Sequence, residues 1–160
     1  LLKHYSVTIA EMTQLDLQSG SYALLWEAAL KAAKSAYAPY SRYQVGAACI
    51  STSGQLFAGA NQENAAYPSG LCAERVCAFH AGFVLGQEPI VAMALVALRQ
   101  NKVVPGAAPC GACRQVLLEY ETKQKQHMEL LWKGTESLWY RVQSISELLP
   151  FRFDQNSLTA

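Results

Sequence analysis

Apolar residues across positions 21–37 (SYALLWEAALKAAKSAY) recur at helical spacing and stop before Ala38-Pro39, which predicts a first helix there. Ser19 or Ser21 can cap its start. The period then shortens. Residues 43–50 and 55–60 read as two strands joined at Thr52-Ser53-Gly54, a hairpin. Residues 61–70 read as loop, and residues 72–85 as a second helix stopped by Gly86. Residues 90–98 are apolar without a break, which predicts a central strand covered on both faces. A Gly/Pro-rich loop at 105–109 leads into a third helix over 110–120. Residues 128–132 and 138–142 predict two further strands around Gly134, and residues 146–149 a helical turn closed by Pro150.

This order predicts an α/β fold, a three-layer α-β-α arrangement with helices packed on a mixed five-stranded sheet. No repeat, low-complexity tract or linker interrupts it. One domain is expected over residues 1–160, with 1–18 as a weakly patterned lead-in and 154–160 as a polar tail.

Composition narrows the function classes. A chain of 160 residues with 51% apolar and 16% charged side chains can bury a core and still leave surface for subunits to cover. Thirteen basic and twelve acidic residues leave a net charge of +1, and the densest positive stretch is Lys123 and Lys125 among glutamines. Phosphate neutralisation supplies most nucleic-acid affinity, so this balance argues against a polynucleotide partner. The apolar run at 90–98 is far short of the roughly 20 residues of a membrane span, so no membrane partner is expected. The opening LLKHYSVTIAEMTQ lacks the basic-then-apolar layout of an export signal, which makes a reducing, cytoplasmic location the expectation. In that setting clustered cysteines bind metal more often than they form disulfides, and an odd count of five agrees.

The candidate chemistry lies at two helix starts. In Pro109-Cys110-Gly111-Ala112-Cys113 the two thiols are three apart, so they can converge on one ion, and a helix N-terminus favours the thiolate. A redox dithiol would look similar, but such motifs usually follow an early strand, and this one comes late. Cys72 begins another helix and offers a third ligand. Glu74 lies about 200° further round an ideal helix, so an ion shared by this turn must sit off the helix end. Three protein ligands leave the fourth tetrahedral position open to water, as in catalytic zinc sites, and a nearby carboxylate that is not a ligand can move the proton. A purely structural zinc needs a fourth ligand, and no convincing one is present. Cys49 and Cys77 fit small core residues, and His80, about 12 Å along the helix from Cys72, fits packing or surface, as do His4 and His127. Trp132, Trp139 and Tyr140 fit core or interface. Arg114 can face solvent or pair with a thiolate.

Cys72-Ala73-Glu74 followed by Pro109-Cys110-Gly111-Ala112-Cys113 matches the pattern of zinc deaminases, in which Cys can replace the usual His. From about Tyr37 to Phe153 the chain resembles the small cytidine deaminases. The resemblance includes Ala38-Pro39-Tyr40-Ser41, Val45-Gly46-Ala47-Ala48, Asn61-Gln62-Glu63-Asn64-Ala65, Cys72-Ala73-Glu74-Arg75 and Cys110-Gly111-Ala112-Cys113-Arg114-Gln115-Val116. It implies one Zn²⁺ per subunit on Cys72, Cys110 and Cys113, with Glu74 carrying protons to N3 and then to the leaving amine. It implies that Asn61 and Glu63 hold the ribose 3′-hydroxyl and that backbone groups of Ala73 read the base edge. Tyr43 stands where the family usually has a Phe flanking the pyrimidine. Tyr67 and Phe153 resemble residues that reach across subunits of a homotetramer with shared active sites.

The activity implied is hydrolysis of cytidine and 2′-deoxycytidine to uridine and 2′-deoxyuridine with release of ammonia, a step of pyrimidine salvage. The alternative is a deaminase of a modified cytosine nucleoside or of cytosine in a polynucleotide. Three thiolates on Zn²⁺ sum to a net −1, and Arg75 is expected to donate to a sulfur and offset that charge.

Overall fold

The computed structural model describes residues 2–158; Leu1 of the expected lead-in and Thr159 and Ala160 of the expected tail lie outside the described residues. Helix α2 (Ser21–Ala33) follows the short strand β1 (Ala10–Met12) and a single helical turn, α1 (Gln14–Leu17). Then come β2 (Tyr43–Ser51), β3 (Leu56–Ala60), α3 (Ala73–Leu85), β4 (Ile90–Arg99), β5 (Lys102–Val103), α4 (Gly111–Gln124), β6 (Glu129–Lys133) and β7 (Trp139–Val142). The sheet runs β1-β7-β6-β4-β2-β3, with β5 pairing at the end of β4. Among the strands of the described residues, β4 and β6 run parallel, joined through the crossover helix α4, and the other strand pairs are antiparallel.

The mixed sheet with helices on it is as expected, but seven strands stand where five were predicted. Neither addition carries a pattern long enough to read. β1 is three residues whose place is set by pairing with β7, and β5 is a two-residue return after Gln100 and Asn101, both at positive φ. The lead-in is likewise more ordered than its sequence suggested. Thr13 caps α1 and Asp16 reaches back to the Thr13 N–H at 2.7 Å, while Met12 and Leu17 are buried.

Period-two alternation decides what each face of the sheet covers. On β2, Ala47 and Cys49 point to the side of α3 and α4, and Ala48 to the side of α2. On β4, Met93 and Leu95 join Ala73, Cys77 and Leu117, whereas Ala92, Ala94, Val96 and Leu98 join Leu25, Ala29 and Ala33. The unbroken apolar run of β4 is therefore the signature of a strand with a core on each side. At Gly46 a Cβ would overlap the backbone of Ala29 and Ala33, so α2 lies directly on the strand; at Gly59 it would stand 2.5 Å from the Cys77 nitrogen, where α3 does the same. These two close approaches fix both helices against the sheet.

Helix α2 ends four residues earlier than its pattern predicted. Tyr37 donates its N–H to the Asn61 carbonyl at 3.0 Å and accepts from the Glu63 N–H at 2.8 Å. Those bonds require an extended backbone, which the helix cannot supply. They also tie residues 61–63 to the segment leading into β2, the first step in assembling the site.

Candidate active site

Cys72 and Cys110 occupy equivalent places. Each is the N-cap of its helix, with extended backbone (φ −71°, ψ 154° and φ −68°, ψ 165°) and no side-chain hydrogen bond to the first turn. An N-cap side chain projects past the helix end, where the unpaired N–H groups and the dipole favour an anion. Cys113 lies one turn inside α4 and is fully buried. The three sulfurs all lie within 4.8 Å of one another, and Cys72 Sγ is 3.9 Å from Cys110 Sγ. Two thiolates on a tetrahedral zinc at about 2.3 Å stand about 3.8 Å apart, so this donor set fits zinc in kind and in spacing.

Charge is distributed unevenly over the three thiols. Hydrogen bonding from Cys113 first, then from Arg75 and Cys110, holds the Cys72 thiol down at about 5 against burial. Cys113 moves the opposite way, pushed up by its bond to Cys72 and by burial. Arg75 places Nη2 3.8 Å from Cys72 Sγ, and its Nε is buried without a hydrogen-bond partner. The expected guanidinium–thiolate contact is present.

Glu74 is 3% exposed and faces the same cavity as Cys72 and Cys110. Burial, reinforced by the Cys72 charge, pushes its carboxyl above the ordinary value. A carboxyl raised in this way holds its proton more readily than an exposed glutamate does, which suits proton transfer. Ala73, the first residue of α3, is fully buried beneath it.

The cavity has a volume of about 820 Å³. Tyr43, Asn61, Glu63 and Tyr67 line it together with Cys72 and Glu74. Asn61 accepts from the Val45 N–H at 2.7 Å through Oδ1 and donates through Nδ2 to the Tyr43 carbonyl at 3.0 Å. Its amide therefore closes the mouth of the β2–β3 hairpin while keeping one Nδ2 hydrogen and one Oδ1 lone pair for a ligand. Glu63 accepts from the Tyr40 N–H at 2.9 Å and the Ser41 N–H at 3.3 Å, and also from the Ser41 hydroxyl. The Ser41 hydroxyl, followed by these amides, keeps the carboxyl below its usual value. Burial raises the Tyr43 phenol. Tyr67 is exposed at the rim with its ring edge-on to Tyr40, centroids 6.3 Å apart.

Phe153 is not brought to this cavity. It is 59% exposed, and its carbonyl accepts from Gln115 Nε2 at 2.8 Å. Arg114 takes neither of the two places open to it from sequence: Nε donates to the Pro109 carbonyl at 2.9 Å and Nη1 to Leu148 at 3.4 Å, bracing the loop that leads to Cys110. Cys49 and Cys77 pair in the core with sulfurs 3.4 Å apart, and His80 packs its ring edge against Phe57, so these stay outside the site as expected.

Sequence reasoning missed Ser41 as a partner of Glu63, and it missed Leu95, Ala107 and Ala108 in the cavity wall. It also missed Glu121. That carboxylate is buried and accepts from the Met128 and Ile145 N–H groups at 2.9 Å and from the Ser144 hydroxyl at 2.6 Å, anchoring α4 to β6 and to the turn at Ile145–Leu148. The only cue was an acid at a core-facing position of an otherwise apolar helix face. Among the described residues no helix is long and apolar enough to cross a membrane.

Residues 21–128 match the family described as the cytidine and deoxycytidylate deaminase zinc-binding region. Among curated proteins, the chain is similar to the cytidine deaminase of Halalkalibacterium halodurans, 40% identical over 131 residues that cover 81% of this chain and 92% of that one. Among solved structures it is similar to the cytidine deaminase of Burkholderia pseudomallei (38% identity, TM-score 0.70, covering 82% of this chain and 98% of that chain). It is also similar to that of Mycobacterium tuberculosis (34% identity, TM-score 0.64, 85% and 99%).

Proposed function

The chain belongs to the cytidine and deoxycytidylate deaminase family, and on that premise we propose that it hydrolyses cytidine and 2′-deoxycytidine to uridine and 2′-deoxyuridine with release of ammonia. The observation that carries this reading is the shared cavity. A buried glutamate with a raised carboxyl pKa faces the same space as a three-thiol cluster whose spacing fits one zinc ion. When bound, zinc supplies an acidified water as nucleophile.

The protein's own groups do the rest. Glu74 takes one proton from the nucleophilic water and delivers it to pyrimidine N3. It then takes the second proton from the new C4 hydroxyl and delivers it to the amine, which leaves as ammonia while the C4 carbonyl forms. Its burial keeps that proton from bulk water. Arg75 draws charge from the Cys72 sulfur, which it approaches to 3.8 Å. The N–H of Ala73, the first residue of α3, precedes the N–H groups that bond the Cys72 carbonyl and can meet the polar edge of the base. Tyr43 flanks the pyrimidine. Asn61 and Glu63 supply an amide donor and a carboxylate acceptor for the ribose 3′-hydroxyl.

The reading extends to one catalytic domain over residues 1–160 acting in the cytoplasm as a homotetramer. Exposed Tyr67 and Phe153, the latter turned away from its own chain's cavity, support completion of each site by a neighbouring subunit. Incubating the zinc-loaded protein with cytidine and following uridine and ammonia tests the activity. Wild type is expected to turn over, and Glu74→Gln to lose about 10²- to 10⁴-fold in kcat with zinc retained. No product from zinc-loaded wild type overturns it.

A further inference from the structure

Glu63 is held by one short turn. Between α2 and β2, the chain presents the Tyr40 N–H, the Ser41 N–H and the Ser41 hydroxyl to the two carboxylate oxygens. The hydroxyl does a second thing. Its oxygen accepts from the Tyr43 N–H at 3.0 Å, so Ser41 bridges two residues that line the cavity. A serine hydroxyl has a single hydrogen, and here Glu63 Oε1 receives it. An ionised carboxylate offers about four acceptor directions, and the turn occupies three of them. What remains is a single acceptor, on a carboxylate that cannot rotate without breaking the contacts.

We propose that Ser41 is a positioning residue for the nucleoside sugar: its hydroxyl sets the Glu63 carboxylate so that one lone pair is left for one sugar hydroxyl. The inference rests on the reading that Glu63 accepts from the ribose 3′-hydroxyl. The physical reason is preorganisation. A glutamate on an exposed loop samples several rotamers, and ordering it on binding would weaken the complex. The two backbone donors both address Oε2, so neither fixes the rotation of the carboxylate about its own axis. The donor to Oε1 does, and that donor is Ser41. Because Ser41 lies outside the proton-transfer group, it acts on sugar binding and leaves the chemical step alone.

The test compares cytidine with 3′-deoxycytidine on wild type, Ser41→Ala, Ser41→Thr and Glu63→Ala. The ratio of kcat/KM for the two substrates is the readout, since it does not depend on how much of a variant is folded. Ser41→Ala is expected to lower kcat/KM for cytidine about ten-fold, through KM with kcat within about two-fold, and to leave 3′-deoxycytidine unchanged. Ser41→Thr, which keeps the hydroxyl, is expected to restore most of the ratio. Equal losses on both substrates, or no loss on cytidine, overturn the positioning role. If Glu63→Ala leaves the ratio intact, the sugar reading of Glu63 fails and the proposal falls with it. If Glu63→Ala collapses the ratio and Ser41→Ala does not, the Ser41 role alone is wrong.

Discussion

Arg75 and Cys72 are separated by 3.8 Å between guanidinium nitrogen and sulfur, one helical turn apart, with the arginine half-buried and its Nε without a partner. A guanidinium held this close withdraws negative charge from the Cys72 sulfur, and its hydrogen bond goes to that sulfur rather than to Asn61 or Glu63. Arg75→Ala is therefore expected to lower kcat about ten-fold or more, while inhibitor affinity changes less than about three-fold. Steady-state kinetics beside a competitive-inhibitor titration, at verified zinc content, measures the split. Unchanged kcat with zinc intact would sink this role.

The two buried cysteines Cys77 and Cys113 make a matched pair for testing the metal set. Both are fully buried, yet only Cys113 lies within 4.8 Å of the Cys72 and Cys110 sulfurs. Cys113→Ala is expected to reduce bound zinc from about one per chain to below about 0.1, whereas Cys77→Ala keeps it near one. Metal content after gel filtration decides the matter, and zinc retained by Cys113→Ala contradicts the ligand set.

Acid lability has a local source at the β2–β3 hairpin. Hydrogen bonds from the Ser51 hydroxyl first, then from the Ser53 amide and hydroxyl and from Thr52, hold the Glu88 carboxyl at about 2 against an ordinary 4.5. A carboxyl lowered in the folded state stabilises it above the unfolded value, and that contribution disappears as pH falls through the folded value. Wild type is expected to melt above Glu88→Gln at pH 6, with the gap closing between pH 4.5 and pH 2. Melting curves of both proteins across that range check it, and a constant gap rules it out.

Much of the metal cluster was legible because its signal is local. Cysteines at two helix starts, with a glutamate two residues on, need only the knowledge of where a helix begins. The central strand was legible for a related reason, since seven buried positions in a row, residues 92–98, leave no room for a solvent face. What stayed hidden depends on partners distant in sequence. Strand β1 exists because Ala10, Glu11 and Met12 find β7, some 130 residues away. The shortening of α2 depends on Tyr37 finding Asn61 and Glu63, and the anchor at Glu121 on amides seven and twenty-four residues further on. Ser41 belongs with these: a serine in a turn signals nothing until its carboxylate, twenty-two residues later, folds back to it.

The Asn61 amide joins a seam of the scaffold to the floor of the cavity. Both of its polar atoms bond the backbone of β2, at Val45 and Tyr43, before any ligand arrives. A sequence drifting toward a different sugar cannot change this side chain alone, because the hairpin would lose its closure in the same step. Room for divergence lies instead at the rim, where Tyr40 and Tyr67 are half or more exposed and carry no strand between them. New preferences are thus expected to enter this scaffold from its edge inward, with the floor inherited almost intact.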